Sequence, residues 1–212
     1  LPAKVKLLVQ IAAAGLAVYL GVRIDFLSNP TGGLILLPPM LAVPLTIFWL
    51  VGITNTINLI DGLDGLAGGV SRIAASTTAL IAWQTHQPAI TLLALALMGA
   101  TIGFLRYNWN PAKIFMGDTG AYFLGLIIAM LSIYSGGKLA TALLVVGFTI
   151  IDSLWAVIRR LRRGTHPFQA DREHLHHLLL EAGLSQRMAV LLLYLFALVF
   201  GLIALTSSSF SK

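Results

Sequence analysis

The chain has 212 residues, 58% of them hydrophobic and 10% charged, with a formal net charge of +6 and a mean hydropathy of +0.88. That apolar content exceeds what a soluble core of this length can bury, so the expected solvent is lipid and the expected fold an all-α, polytopic membrane protein. The lack of cysteine excludes disulfides, thiolate metal sites and a Cys nucleophile, and suits a bacterial inner membrane.

Apolar runs long enough to cross a bilayer of about 30 Å fall at residues 5–22, 34–53, 66–84, 89–105, 119–134, 139–158 and 188–206, predicting seven spans. Pro38, Pro39 and Pro44 predict a kink in the second, which neighbouring helices can accommodate. With Leu1 on the cytoplasmic side, segments 54–65, 106–118 and 159–187 share that side. Eleven of the fourteen Lys and Arg then lie inside (Lys4, Lys6, Arg72, Arg106, Lys113, Arg159, Arg160, Arg162, Arg163, Arg172, Arg187), as the positive-inside rule requires. Seven of the eight acids also fall there, Asp25 being the exception, and since acids hardly influence topology, their clustering indicates chemistry on that face.

The first inner segment runs from Asn55 to Gly69. In a helix, steps of three place Asn55, Asn58, Asp61 and Asp64 on one drifting stripe, while Gly62, Gly65, Gly68 and Gly69 permit a tight turn or close approach to a ligand. Capping of the next span would need one such residue, not four.

The second segment, Asn108 to Asp118, is polar and broken by Pro111 and Gly117 between two apolar runs. A carboxylate at a membrane boundary costs on the order of 2.5 to 3.5 kcal/mol unless water, a cation or a partner compensates it. Asp118 could serve the dipole of the following helix, but that leaves Asn108 and Lys113 unexplained. Lys113 supplies a point charge of the kind that binds phosphate. Several carboxylates on one face suit Mg²⁺, or Mn²⁺ in its place, shared with phosphate and water.

The third segment carries Arg159, Arg160, Arg162 and Arg163, then His166, His174, His176 and His177. The arginines suit topology and anionic-lipid contact. If residues 175–182 are helical, Leu175, Leu178, Leu179 and Ala182 form an apolar stripe, and the segment 159–187 reads as a cytoplasmic Arg/His loop with an interfacial helix inside one domain spanning 1–212. Asp171 would sit one turn before His174 and could orient it. His176 and His177 splay about 100° apart on a helix, a poor fit to zinc helices with ligands at i and i+4. The combined set of carboxylates, cations and His suits phosphoryl transfer to a lipid acceptor, where positioning and charge neutralisation supply most of the catalysis. Nothing here indicates nucleic-acid binding.

Three stretches carry a family resemblance: Asn55-x-x-Asn58-x-x-Asp61-Gly-x-Asp64-Gly-Leu-Ala, Asn108-x-x-Pro111-Ala-Lys-Ile-Phe115-Met-Gly-Asp118-x-Gly120, and His166-Pro-Phe-x-Ala-Asp171-Arg-x-His174-Leu-His176-His177-Leu. Together they resemble the polyprenyl-phosphate N-acetylhexosamine-1-phosphate transferases, polytopic enzymes related to the phospho-MurNAc-pentapeptide translocase. The resemblance implies that undecaprenyl phosphate attacks the sugar-bearing phosphate of a UDP-N-acetylhexosamine, with UDP-N-acetylglucosamine favoured by the His-Leu-His-His pattern, and releases UMP in a Mg²⁺-dependent reaction. It assigns Asp118 to Mg²⁺, Asn108 to the phosphates, and Phe115, Gly62, Leu63 and Asp64 to the uridine. Asn58 and Asp61 would lie beside the reaction centre, and His176 and His177 would contact the diphosphate. His174 belongs to the same His-rich loop, with Arg159 and Arg160 on its approach, and Lys6 matches a family Lys. The family's adjacent Asp-Asp pair would fall just before Leu1, so the chain is expected to be the C-terminal two-thirds of a longer enzyme and inactive alone. Its oligomeric state, a homodimer included, is left open.

Two other classes compete. A CDP-alcohol phosphatidyltransferase shares Asp61-x-x-Asp64-Gly65, but its downstream Asp residues have no counterpart between Asp64 and Asp118. A transporter would hold its polar residues near the bilayer midplane rather than at one surface.

Overall fold

The structure is a computed structural model that describes residues 2–28, 33–135, 147, 158, 161–162 and 175–209. In chain order these form α1 (Ala3–Tyr19), a hairpin of β1 (Phe26–Ser28) and β2 (Leu34–Leu36), then α2 (Pro39–Ile60), α3 (Leu66–Gln84), α4 (Pro88–Asn108), α5 (Gly117–Tyr134), a short α6 (Leu175–Glu181) and α7 (Gln186–Ser209). Helices α2, α4, α5 and α7 are long and apolar enough to cross a membrane. The all-α polytopic reading therefore holds, with a small hairpin added. Of the seven expected spans, α1 and α3 are helical but fall short of that length or hydropathy, and 139–158 lies largely outside the described residues.

The second expected span needs correction. Residues 34–36 pair as a strand with 26–28, in the antiparallel register Phe26↔Leu36, Leu27↔Ile35 and Ser28↔Leu34. Pro38 and Pro39 do not kink the helix but begin it, because proline is tolerated where the N–H has no intrahelical partner. Pro44 alone lies inside. At the other end the helix continues past Gly52 to Ile60, since Asn55 and Thr56 fold back onto the Val51 and Gly52 carbonyls (2.8 and 2.9 Å) instead of breaking it.

Small residues let the helices approach. Buried Ala67, Gly68, Ala74, Ala75 and Ala79 line α3, which packs against α4 and α7. Helix α2 packs against α1 and α5. At their crossing a Cβ on Gly125 would lie 2.6 Å from the Thr54 Cα, so glycine sets the α2–α5 separation. Trp49 donates to Ser132 Oγ (3.0 Å) across the same interface, satisfying a buried indole N–H. Exposed Leu92, Leu93, Ile102, Leu198 and Leu202 leave α4 and α7 with apolar outer faces suited to lipid.

Candidate active site

The expected stripe of Asn55, Asn58, Asp61 and Asp64 is divided by the structure, because α2 ends at Ile60. Asp61 is its C-cap, and Gly65 then adopts a left-handed backbone (φ +83°) that starts α3. Asn55 stays inside the bundle and exchanges amide hydrogen bonds with buried Gln10 of α1 (2.7 and 3.3 Å). Asn58 and Asp61 turn toward the start of α5. Asp64 turns the other way, toward the segment between α4 and α5.

The first group gathers at Asp118. Its Oδ2 is paired with the Lys6 ammonium of α1, and its Oδ1 accepts from Asn58 Nδ2 (3.2 Å). Both partners come from other helices, so three elements fix one carboxylate. Asp61 is half-buried beside it, and its carboxyl is pushed up to about 6, chiefly by desolvation and then by the Asp118 charge; the Gly117 N–H pulls weakly the other way. The Asp118 charge is favoured by its hydrogen bonds to Lys6 and then Asn58, and that charge in turn disfavours ionisation of Asp61, so the two neighbouring carboxyls are driven in opposite directions. Together, open to solvent on one side, they offer the oxygen donors that a hard cation such as Mg²⁺ accepts. Among the described residues no group of three or more His, Cys, Asp or Glu could hold a metal by itself, so such an ion would need phosphate or water for its remaining positions.

From this cluster an apolar cavity of about 280 Å³ runs between α1, α2 and α5, with Val9, Ala13, Leu50 and Leu126 along it and Lys6, Asp118, Thr119 and Tyr122 at the polar end. A charged head leading into an apolar channel fits an amphiphile with an anionic headgroup.

The second group ties the 108–116 segment to the rest. Asn108, only 4% exposed, accepts from the Gly65 N–H at Oδ1 (3.0 Å) and donates through Nδ2 to the Ile114 carbonyl (2.9 Å). Its amide is thus committed to backbone, a bracing position rather than an open one. Asp64 Oδ2 accepts from Asn110 Nδ2 (3.0 Å) and from the Ala112 N–H (3.1 Å). Lys113 and Phe115 stand out from the same segment, Phe115 being 77% exposed, while Gly62 is exposed and Leu63 buried.

Of the other expected site residues, Arg159, Arg160 and His174 lie outside the described residues. The backbone places His176 and His177 in the first turn of α6, and their side chains are likewise outside the described set. Leu175 and Leu179 of α6 do pack against the core. Sequence reasoning did not single out Gln10, Asn110, Gln186 or Tyr194. Asn110 lay within a motif already in view, whereas Gln186 and Tyr194 sit on a helix whose local pattern says only that it is apolar.

Comparison with known proteins follows the same lines. The sequence model described as glycosyl transferase family 4 matches residues 1–136. A Bacillus subtilis protein named "Probable undecaprenyl-phosphate N-acetylglucosaminyl 1-phosphate transferase" is 43% identical over 99% of this chain and 60% of its own length. A decaprenyl-phosphate N-acetylglucosaminephosphotransferase of Mycolicibacterium smegmatis is 36% identical over 94% of this chain and 55% of its own. A phospho-N-acetylmuramoyl-pentapeptide-transferase of Halalkalibacterium halodurans is 35% identical, over 97% and 64%. The chain thus spans little more than half the length of the first two relatives.

Proposed function

This chain belongs to glycosyl transferase family 4, and on that premise we propose that the full-length protein transfers N-acetylglucosamine-1-phosphate from the UDP-sugar to undecaprenyl phosphate. An oxygen of the lipid phosphate forms a bond to the sugar-bearing phosphorus, the bond to the bridging oxygen breaks, and UMP leaves with that oxygen. The products are UMP and undecaprenyl-diphospho-N-acetylglucosamine. The relatives' names support both the sugar and the polyprenyl acceptor. The supporting observation in the structure is that Lys6 and Asp118 stand at the polar end of an apolar cavity, with Asn58 bonded to Asp118 and Asp61 beside it.

Each group has a part in this reading. Lys6 offsets the charge of the acceptor phosphate as two anions approach. Asn58 fixes the rotamer of Asp118, and the channel beside Val9, Ala13 and Leu126 receives the first isoprene units. Asp118, with Asp61 near it, would hold Mg²⁺, which when bound neutralises charge on the transferring phosphoryl group. Phe115, Gly62, Leu63 and Asp64 would face the uridine, and His174, His176 and His177 the diphosphate, with Lys113, Arg159 and Arg160 adding positive charge on the approach. The basic excess near this end of the bundle favours a cytoplasmic orientation in a bacterial inner membrane.

The test is the full-length protein in detergent with UDP-N-acetylglucosamine, undecaprenyl phosphate and Mg²⁺, with UMP and the sugar-lipid both measured. Equimolar appearance of the two is expected. Folded protein that releases no UMP with any UDP-HexNAc or divalent ion overturns the proposal.

A further inference from the structure

We infer that Gln186 and Tyr194 of α7 are positioning residues for the donor nucleotide, acting through Asp64 and Gly65; the inference rests on the transferase reading above. Helix α7 lies outside all three motif segments, yet its first turns grip two of them. Gln186 Oε1 accepts from Asn110 Nδ2 (2.8 Å), the same group that donates to Asp64 Oδ2 (3.0 Å), and Arg187 Nε donates to the Asn110 carbonyl (3.0 Å). Tyr194 donates its hydroxyl to the Gly65 carbonyl, while Asn108 takes the N–H of the same residue (3.0 Å).

The consequence is directional. Gly65 is held at both its N–H and its C=O, in a left-handed conformation, with a Cβ excluded at Gly69 because it would clash with the Tyr194 Cζ and hydroxyl oxygen. The Trp109 ring, 6.2 Å from that of Tyr194 between centroids, closes the same corner. Asp64 precedes this fixed residue, and its Oδ2 is tied down by Asn110 and Ala112. The carboxylate therefore presents Oδ1, which no described donor reaches, along one direction. A carboxylate that accepts an N–H of a nucleobase depends on that angle, because hydrogen bonds weaken steeply as they bend. Packing of α7 does not depend on Gln186, since Ala189, Val190, Leu193 and Ala197 bury the helix against the core.

Steady-state kinetics of the full-length enzyme, paired with calorimetric titration of UMP, test this. Gln186→Ala and Tyr194→Phe should each raise KM for the UDP-sugar and weaken UMP binding about tenfold, with kcat and KM for the lipid within twofold. Gln186→Glu, which keeps an acceptor oxygen for Asn110, should recover at least half of the lost affinity. Unchanged KM and UMP affinity in both variants overturns the inference while leaving the transferase reading intact. A fall in kcat alone that Gln186→Glu fails to rescue likewise overturns it, pointing to a general structural role. If wild type binds UMP and the variants weaken it, but no sugar-lipid forms, the positioning role stands and the transferase reading falls.

Discussion

Lys6 and Asp118 form an ion pair although 112 residues of chain separate them. Their side chains are 30% and 51% exposed, so solvent screening leaves the pair little weight in folding. What it contributes is placement, since it brings a cation and a carboxylate to the mouth of one apolar channel.

Removing the Asp118 charge should therefore separate activity from stability. Asp118→Asn in the full-length protein is expected to lower kcat by roughly 10²–10³-fold, as loss of a transition-state electrostatic partner typically does, with the melting temperature changed by no more than a few degrees. Wild-type turnover in this variant would remove Asp118 from the chemistry.

Asn108→Ala should behave in the opposite sense. It deletes two hydrogen bonds at a nearly inaccessible position and strands the Gly65 N–H and the Ile114 carbonyl. A loss of about 2–4 kcal/mol follows from leaving two such groups unsatisfied, to be read from denaturant or thermal unfolding in detergent. A variant as stable as wild type would show that water replaces the amide freely.

Gly125 links packing to the site. Gly125→Ala places a methyl against the Thr54 backbone, and rigid backbone must yield at a cost of about 1–3 kcal/mol. Because Asn58 lies on α2 and Asp118 on α5, parting those helices should lengthen the Asn58–Asp118 contact and lower turnover along with stability. Gly99→Ala, where the added methyl meets nothing within 4 Å, is the control and should be neutral.

Asp61 gives a pH signature. Its carboxyl is raised to about 6 from 3.8, so the folded state holds the proton more tightly than the unfolded chain does between those values. Stability contributed by this group is fully present below the unfolded value and is lost as pH rises through about 6. In chelator-treated detergent solution, the difference in melting temperature between Asp61→Asn and wild type should grow in favour of the variant from pH 4.5 to pH 7.5. A difference that stays flat with pH would mean that Asp61 titrates as an exposed acid.

The sequence made much of this legible, and the residues show where it stopped. Apolar runs gave α3, α4 and α5 to within three residues at each end, because burial in lipid or against neighbours demands an uninterrupted run. The strands 26–28 and 34–36 are too short for any period to emerge, and Leu34, Ile35 and Leu36 read as the start of a span until Pro38 and Pro39 are given their place at the N-terminus of α2. The polar residues of the candidate site were visible as types at spacings. Their partition was not: a three-residue step put Asp61 and Asp64 on one face, whereas the end of α2 at Ile60 breaks that step and sends them to different partners. Gln186 and Tyr194 were invisible for another reason, since only the packing of α7 against α3 brings them to residues far away in sequence.

That divergence makes chain length itself a functional quantity. Asp64 grips the 108–118 segment near its entry, at Asn110 and Ala112, and Asp61 faces its exit, at Gly117 and Asp118. Two intervening residues, Gly62 and Leu63, act as a ruler between those grips. Lengthening this ruler by one residue would keep every side chain of the site and still draw one carboxylate away from its partners, so an insertion beside Gly62 should lower turnover more than a substitution at Gly62.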